Sequence, residues 1–314
     1  MKTNARIYGR WAALAAFFVF LPLPILLLNG YYFYSAWLIL YYMVLAVGWN
    51  MGLLGNVISL ANYGYAGIGA YAYALAVTHG GSFAVAILLS AAVPTLAMLP
   101  VTFLLRLKSM YFSVATFVVP LIVTGIINLL PDLTGGGTGV YIPISKTLSQ
   151  IQAYVIVAVV AAVSVSFTAY LIWSKYGLAL RSIYDAEDAA AANGVNATGL
   201  RFMVFLVPAP LAGMAGAALA SSLSFLDTSV VFNVGDLLIL ILITLIGGSR
   251  SVFGPVVGAV FVTVMVLALN IYFPYSHLAV LGLIVLAITL GRPALARYLP
   301  AARSLFSKER TKIC

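Results

Sequence analysis

The sequence predicts an all-α fold, a polytopic membrane helix bundle of about 8–10 transmembrane helices. Of its 314 residues, 64% are hydrophobic and only 7% are charged, and the mean hydropathy is +1.11. Soluble globular domains carry roughly 25% charged residues. Uncharged apolar runs of about 20 residues recur along the chain, which is the length that a helix needs to cross a hydrocarbon core. We therefore expect a single membrane domain over residues 1–314.

Ten apolar segments are candidate membrane helices. They are 11–29, 36–55, 58–78, 83–105, 109–130, 151–173, 202–222, 237–249, 252–272 and 277–290. The first follows a basic stretch as a signal peptide does, but its exit NGYYFYSAW lacks a small-x-small cleavage site, so we interpret it as a retained helix. Segment 237–249 is short for a crossing. It either re-enters the membrane or continues into 252–272 through GGSRSVFGP.

The distribution of basic residues predicts the topology. If the N-terminus is cytoplasmic and each segment crosses, all 16 Lys and Arg residues except Lys146 lie in cytoplasmic loops and tails. This is the asymmetry that the positive-inside rule describes. Both termini are then cytoplasmic, as are a loop at about 175–201 and a basic tail at about 291–314. The net charge of +9 is explained by topology, and we expect no nucleic-acid partner.

A glycine-rich stretch, Gly48 to Leu75, is the candidate for a solute pathway. In GWNMGLLGNVISLANYGYAGIGAYAYAL, the polar residues Asn56, Ser59 and Asn62 are three apart, which predicts one polar stripe on a helix. Such a stripe could line a passage for an uncharged or zwitterionic solute. The alternative is that glycines permit close packing and amides bond between helices, and the sequence leaves both open. The candidate pathway residues are Asn56, Ser59, Asn62, Tyr63 and Gly67.

None of the ten segments contains Asp, Glu, Lys or Arg. Ion-coupled carriers usually keep ionisable residues in the membrane for the coupling ion, so this pattern disfavours such a carrier. The two histidines, His79 and His277, have no metal-ligand partner at helical spacing, and no catalytic set can be assembled around them. We therefore expect no metal site and no catalytic residues. Gly254 and Gly258, at small-xxx-small spacing, predict close helix packing.

Three of the seven acidic residues, Asp185, Glu187 and Asp188, cluster in SIYDAEDAAAANGV. Asp185 is a candidate N-cap with Asp188 at position N3, and Gly194 suits a left-handed C-terminal cap. The resulting helix of about two turns is shorter than the 12 to 15 residues at which isolated helices become marginal. It should dock onto the protein's own helix ends or onto a second protein. A solvated connector is the alternative.

Four stretches in order carry a family resemblance, from about Gly48 to Val260. They are GNVISLANYGYAGIGAY, TGGGTGV, YGLALRSIYDAEDAAAANGVNATGLRFMVFLVPAPLAGMAGAALA and LIGGSRSVFGPVVGAV. Together they resemble the inner-membrane permeases of branched-chain amino-acid ABC importers, in particular the M-type subunit. Tyr184 departs from the family's usual arginine, and Asn62 with Tyr63 departs from its usual glycine and histidine.

The resemblance implies a bacterial inner-membrane permease that pairs with a second, related permease. Its further partners would be two cytoplasmic ATPase subunits, which bind ATP and Mg, and a periplasmic solute-binding protein. This chain itself would bind no cofactor and would not be an enzyme. The implied solute is a small, branched-chain amino acid, with urea, short amides or aromatic acids as alternatives. An ion-coupled secondary transporter or a channel is the alternative outside the family.

The resemblance also implies that the loop supplies the coupling helix that enters a groove on the ATPase. The residues that match the family motif are Glu187, Ala189, Ala190 and Gly194. Asp185 and Asp188 occupy more variable places, and we include them among the expected ATPase-coupling residues.

Overall fold

A computed structural model describes most of the chain. The described residues are 14–15, 17–19, 21–27, 30–107, 109–143, 148–223, 225–272 and 279–287. Most of the expected segment 11–29 and part of 277–290 lie outside these residues. His277 and the expected basic tail 291–314 lie outside them too.

The described residues are almost entirely helical. The helices before residue 140 are α1 (Leu23–Leu27), α2 (Tyr31–Leu54), α3 (Asn62–Thr78), α4 (Phe83–Met98), α5 (Ser109–Leu129) and α6 (Pro131–Thr134), with 3-10 helices at Pro100–Arg106 and Gly136–Thr138. The later helices are α7 (Gln150–Trp173), α8 (Lys175–Asp185), α9 (Glu187–Ala192), α10 (Ala197–Leu206), α11 (Pro208–Ser222), α12 (Thr228–Val231), α13 (Val234–Gly247) and α14 (Gly254–Tyr272). Residues 279–287 are also helical. Two short strands, β1 (Val140–Tyr141) and β2 (Phe225–Leu226), pair in antiparallel fashion.

Six helical stretches within the described residues are long and apolar enough to cross a membrane, and the number is seven if α4 and the bent 3-10 helix after it form one span. The all-α membrane bundle is thus confirmed. The short segment expected at 237–249 is in fact part of a 20-residue span, Thr228–Gly247. The expected segment began after Asp236 because only uncharged runs were considered, whereas the helices of this span begin at Thr228 and Val234.

The break between α2 and α3 shows how local sequence ends a membrane helix. Asn56 has φ +58, and the Val57 N–H bonds to the Gly52 carbonyl at 2.9 Å. This is the Schellman arrangement, with asparagine in the left-handed position that glycine usually takes. Residues 55–61 are consequently not helical.

The core of the bundle is formed where α3 packs closely against α4 and α11. Small residues allow this approach: a Cβ at Gly216 would overlap the Ala66 carbonyl oxygen, and one at Gly69 would overlap the backbone of Gly213. Close backbone contact of this kind is how membrane helices gain van der Waals energy without a hydrophobic driving force.

The chain divides into two compact units, Met1–Val264 and Met265–Cys314, with the boundary inside α14. The first unit holds every element from α1 to α13. The described part of the second is the end of α14 together with the helical residues 279–287.

Candidate functional site

The 175–201 segment folds as two short helices and a turn that leads into α10. Asp185 is the last residue of α8, and Ala186, with φ −158 and ψ 94, separates α8 from α9. The expectation that Asp185 caps the acidic helix is therefore wrong, because the backbone stays helical through Asp185 and the extended residue is Ala186. Glu187 and Asp188 occupy the first turn of α9, where the helix dipole favours negative charge.

The end of α9 follows the sequence expectation. Gly194 has φ +79, its N–H bonds to the Ala191 carbonyl, and the Val195 N–H bonds to the Ala190 carbonyl. This pair of bonds is again a Schellman cap. With six residues, α9 is too short to be stable alone, so its position depends on the contacts it makes.

Arg201 holds α9 against the end of α2. Its Nη1 and Nη2 atoms donate to Glu187 Oε1 and Oε2 at 2.6 and 2.8 Å, and its Nε donates to the Gly55 carbonyl at 3.2 Å. The guanidinium thus joins the first turn of α9 to the carbonyl end of α2. The two bonds to Glu187 are charge-assisted. The bond to Gly55 places the positive charge at a helix C-terminus, where the helix dipole favours a cation.

A cavity of about 180 Å³ lies beside this ion pair. Its lining residues are Asn56, Val57, Leu105, Leu107, Ser109, Phe112, Glu187 and Arg201. Three parts of the chain therefore meet at the cavity. They are the α2–α3 break, the start of α5 with the residues before it, and the ion pair of Glu187 with Arg201.

The side chains of α9 divide between two environments. Within α9, Ala190 is buried in this chain, whereas Asp188 and Ala189 are exposed. The flanking residues Asp185 and Gly194 are exposed too. Elements α8 and α10 pack against α9 and account for the burial of Ala190. The exposed face carries acidic and small residues, so it is the part of the segment that a second protein could contact.

A second cation links the segment to the loop between α13 and α14. The Arg250 guanidinium lies 3.3 Å above the ring of Tyr184, and Arg250 itself has φ +61. The fully buried Asn50 of α2 fixes this loop: its Oδ1 accepts from the Arg250 N–H at 2.6 Å, and its Nδ2 donates to the Ser251 carbonyl at 3.0 Å. Two arginines thus connect the segment to α2, one directly and one through this loop.

The expected polar stripe of Asn56, Ser59 and Asn62 does not form on one helix. Asn56 and Ser59 lie in the break, and only Asn62 is helical, as the first residue of α3. The physical reason is the left-handed cap at Asn56, which ends α2 before the stripe can continue. Hydroxyls from α5 hold the break in place: Ser113 donates to the Ile58 carbonyl, and Thr116 accepts from the Leu60 N–H.

The remaining pathway candidates lie inside the bundle. Ser59 and Asn62 are buried, and Asn62 Nδ2 and the Tyr63 hydroxyl have no hydrogen-bond partner among the described residues. A Cβ on Gly67 would lie 2.6 Å from the Phe232 ring, so the absence of a side chain here lets Phe232, just before α13, pack against α3. The candidates thus surround the start of α3 but do not share one open face.

The two glycines of the last motif lie at a helix contact. A Cβ on Gly258 would overlap the Ile243 carbonyl of α13, and one on Gly254 would overlap the Gly248 carbonyl. No group of three or more His, Cys, Asp or Glu residues within the described part of the chain could hold a metal ion.

Sequence reasoning missed Asp236, which directly precedes the expected segment 237–249. It lies in the first turn of α13, and the Tyr42 hydroxyl donates to its Oδ1 at 2.9 Å. The statement that no membrane span contains an ionisable residue is therefore wrong. The sequence did contain a helix N-cap that could have shown this. Asn233 caps α13 and lies about one turn before Asp236.

A family model described as "Branched-chain amino acid transport system / permease component" matches residues 31–289. The chain belongs to this family. It is accordingly a multi-pass membrane protein and a transport component, and its family implies that it works with other transport components. No curated protein and no solved structure gives a significant match.

Proposed function

We propose that this chain is the permease subunit of an ATP-driven importer, and that it moves a small, branched-chain amino acid inward across a bacterial inner membrane. It pairs with a second permease, two ATPase subunits supply the energy, and a solute-binding protein delivers the solute. The family match supports transport, and the contact of Arg201 with Glu187 and Gly55 carries the assignment of energy coupling.

The coupling role follows from how α9 is held. A helix of six residues transmits force only if it is attached to a membrane helix, and Arg201 provides that attachment at the end of α2. Motion of a docked ATPase would therefore reach the α2–α3 break, where the pathway candidates begin. The exposed Asp188 and Ala189 are available for the ATPase, while the buried Ala190 anchors the helix.

Cysteine cross-linking tests the docking surface. The chain has one cysteine, so Cys314→Ser provides a background for new positions. In the assembled complex, Ala189→Cys should cross-link to an ATPase subunit, and the neighbouring Ala190→Cys should not, because its side chain is buried. Gly137→Cys is a second control, because it lies between the expected segments 109–130 and 151–173, on the non-cytoplasmic side with Lys146. Cross-linking from Gly137 and none from Ala189 would contradict the assignment.

Reconstitution tests the energy source. Leucine uptake into proteoliposomes should require ATP and all partner subunits, with urea and benzoate failing to compete. Because Asp236 lies within a span, an ion-coupled mechanism makes a distinct prediction, namely flux driven by a gradient through the purified chain alone. Such flux would favour the secondary transporter.

A further inference from the structure

Asp236 lies at the depth of the middle of α2. Tyr42, which donates to its carboxylate, is eleven residues after Tyr31 and twelve before Leu54. At about 1.5 Å per residue, Tyr42 is about 16 to 18 Å from either end of the helix. The Asp236 carboxylate is consequently far from both membrane surfaces if α2 spans the bilayer.

The carboxylate has no compensating cation in the part of the chain that the structure describes. The ion pair found there joins Arg201 and Glu187 instead. Among the described membrane helices, Asp236 is also the only acidic residue. A charged group at this depth costs several kcal/mol unless it is paired, so ionisable residues there usually face a pathway and serve function.

Part of the carboxylate remains available to a ligand. Tyr42 donates to Oδ1 alone, and the Asp236 side chain is only half-buried. A carboxylate offers about four acceptor sites on its two oxygens, so one hydrogen bond leaves most of them open. Because α13 packs against both α2 and α3, and the pathway candidates surround the start of α3, we place the carboxylate toward the solute pathway and not toward lipid.

A series of aromatic rings leads along α2 to this carboxylate. Tyr34 stacks on Trp37, Trp37 stacks on Tyr41 at 5.7 Å, and Tyr41 meets Tyr42 edge-on at 5.3 Å. Tyr34 and Trp37 also line a cavity of about 140 Å³. Trp37, Tyr41 and Tyr42 are buried and pack on one another, so they surround this side of the carboxylate with aromatic side chains and supply no cation to it.

We infer that Asp236 binds the ammonium group of the transported amino acid, with Tyr42 orienting the carboxylate. The identity of the solute in this inference rests on the proposed function. The ammonium donates to the carboxylate oxygens left open by Tyr42. Neutral urea and anionic benzoate lack the group that this site recognises, so the inference separates the amino acid from the other solutes.

Three probes that share the shape of leucine test the site on the purified full chain in lipid nanodiscs. Isoamylamine is leucine without its carboxylate, isocaproate is leucine without its ammonium, and isoamyl alcohol is a neutral isostere. Isoamylamine should raise the thermal unfolding midpoint at millimolar concentration, and the other two should not. An equal shift with isoamyl alcohol, or no shift with isoamylamine, would overturn the inference.

Asp236→Asn supplies the matched variant, since its amide oxygen still accepts from Tyr42. It should weaken isoamylamine binding at least about tenfold, because a charge-assisted hydrogen bond is lost. Asp132→Asn, a change in the short helix α6, should leave binding unchanged. Retained binding in Asp236→Asn would overturn the inference, and if this variant does not fold, the three-probe comparison in the natural chain still decides.

Leucine uptake by the assembled complex separates this inference from the proposed function. If isoamylamine binding depends on Asp236 but leucine is not transported, the ammonium site stands and the solute assignment fails. If leucine is transported at the natural rate by Asp236→Asn, the importer stands and the site is wrong.

Discussion

Arg201 and Glu187 form a bidentate ion pair, and the same guanidinium donates to the Gly55 carbonyl at the end of α2. The pair is only partly exposed on the arginine side, at 17%, and half-exposed on the glutamate side, at 49%. Exposed pairs of this kind contribute about 0.2–1 kcal/mol to stability, so the pair matters less for folding than for the position of α9.

Glu187→Gln and Arg201→Gln should therefore lower solute-stimulated ATPase activity while the protein still inserts and folds. A loss of about 1 kcal/mol of coupling corresponds to about a fivefold change. The double variant should resemble Arg201→Gln, because that change already removes the ion pair with Glu187 as well as the bond to the Gly55 carbonyl. Asp132→Asn serves as the control, and additive losses in the double variant would show that the two residues act separately.

Asn50 should be among the most sensitive polar residues of α2. Asn50→Leu removes the partners of the Arg250 N–H and the Ser251 carbonyl, and unpartnered polar groups cost about 1–3 kcal/mol each. We expect a lower unfolding midpoint and faster trypsin cleavage after Arg250. Asn128→Leu, which changes an exposed asparagine of α5, should alter neither measurement.

Two glycines in membrane helices should respond to alanine in opposite ways. Gly216→Ala places a Cβ against the Ala66 carbonyl and should reduce the yield of folded protein, since overpacking costs about 1–3 kcal/mol. Gly125→Ala meets no atom within 4 Å and should be neutral or stabilise slightly, because alanine loses less backbone entropy. Thermal unfolding in detergent compares them, and equal effects would contradict the close contact of α3 with α11.

Asp227, which precedes the span Thr228–Gly247, should titrate below the ordinary range of aspartate. The hydrogen bond from the Ser229 hydroxyl, with backbone bonds from Ser229 and Val230, lowers the pKa of the Asp227 carboxyl from its ordinary value of 3.8. Its stabilising contribution is complete above that ordinary value and is lost as the pH falls through the lowered pKa. Ser229→Ala should raise the pKa, as measured by carboxyl NMR, and an unchanged pKa would show that the hydroxyl is not the main cause.

In the 175–201 segment, the local structure was predictable only where a single residue type determines the backbone conformation. Gly194 was identified as a left-handed cap because glycine adopts positive φ without steric cost. Asp185 was misplaced, since an aspartate can cap a helix or continue one, and the choice depends on what packs against α8. The same limit applies to Asn56, whose left-handed conformation ended a helix that periodicity alone would continue.

Composition and charge by themselves determined that this chain is an α-helical membrane protein, because an uncharged run of about 20 residues has few other stable states in water or lipid. Ordered motifs within the sequence also pointed to the permease family. Only the tertiary structure placed Arg201 between Glu187 and Gly55, Asn50 beneath the Arg250 loop, and Asp236 beside Tyr42 at the middle of α2. These contacts join residues from 14 to 201 positions apart in the chain, and neither helical period nor hydropathy specifies which helix faces meet.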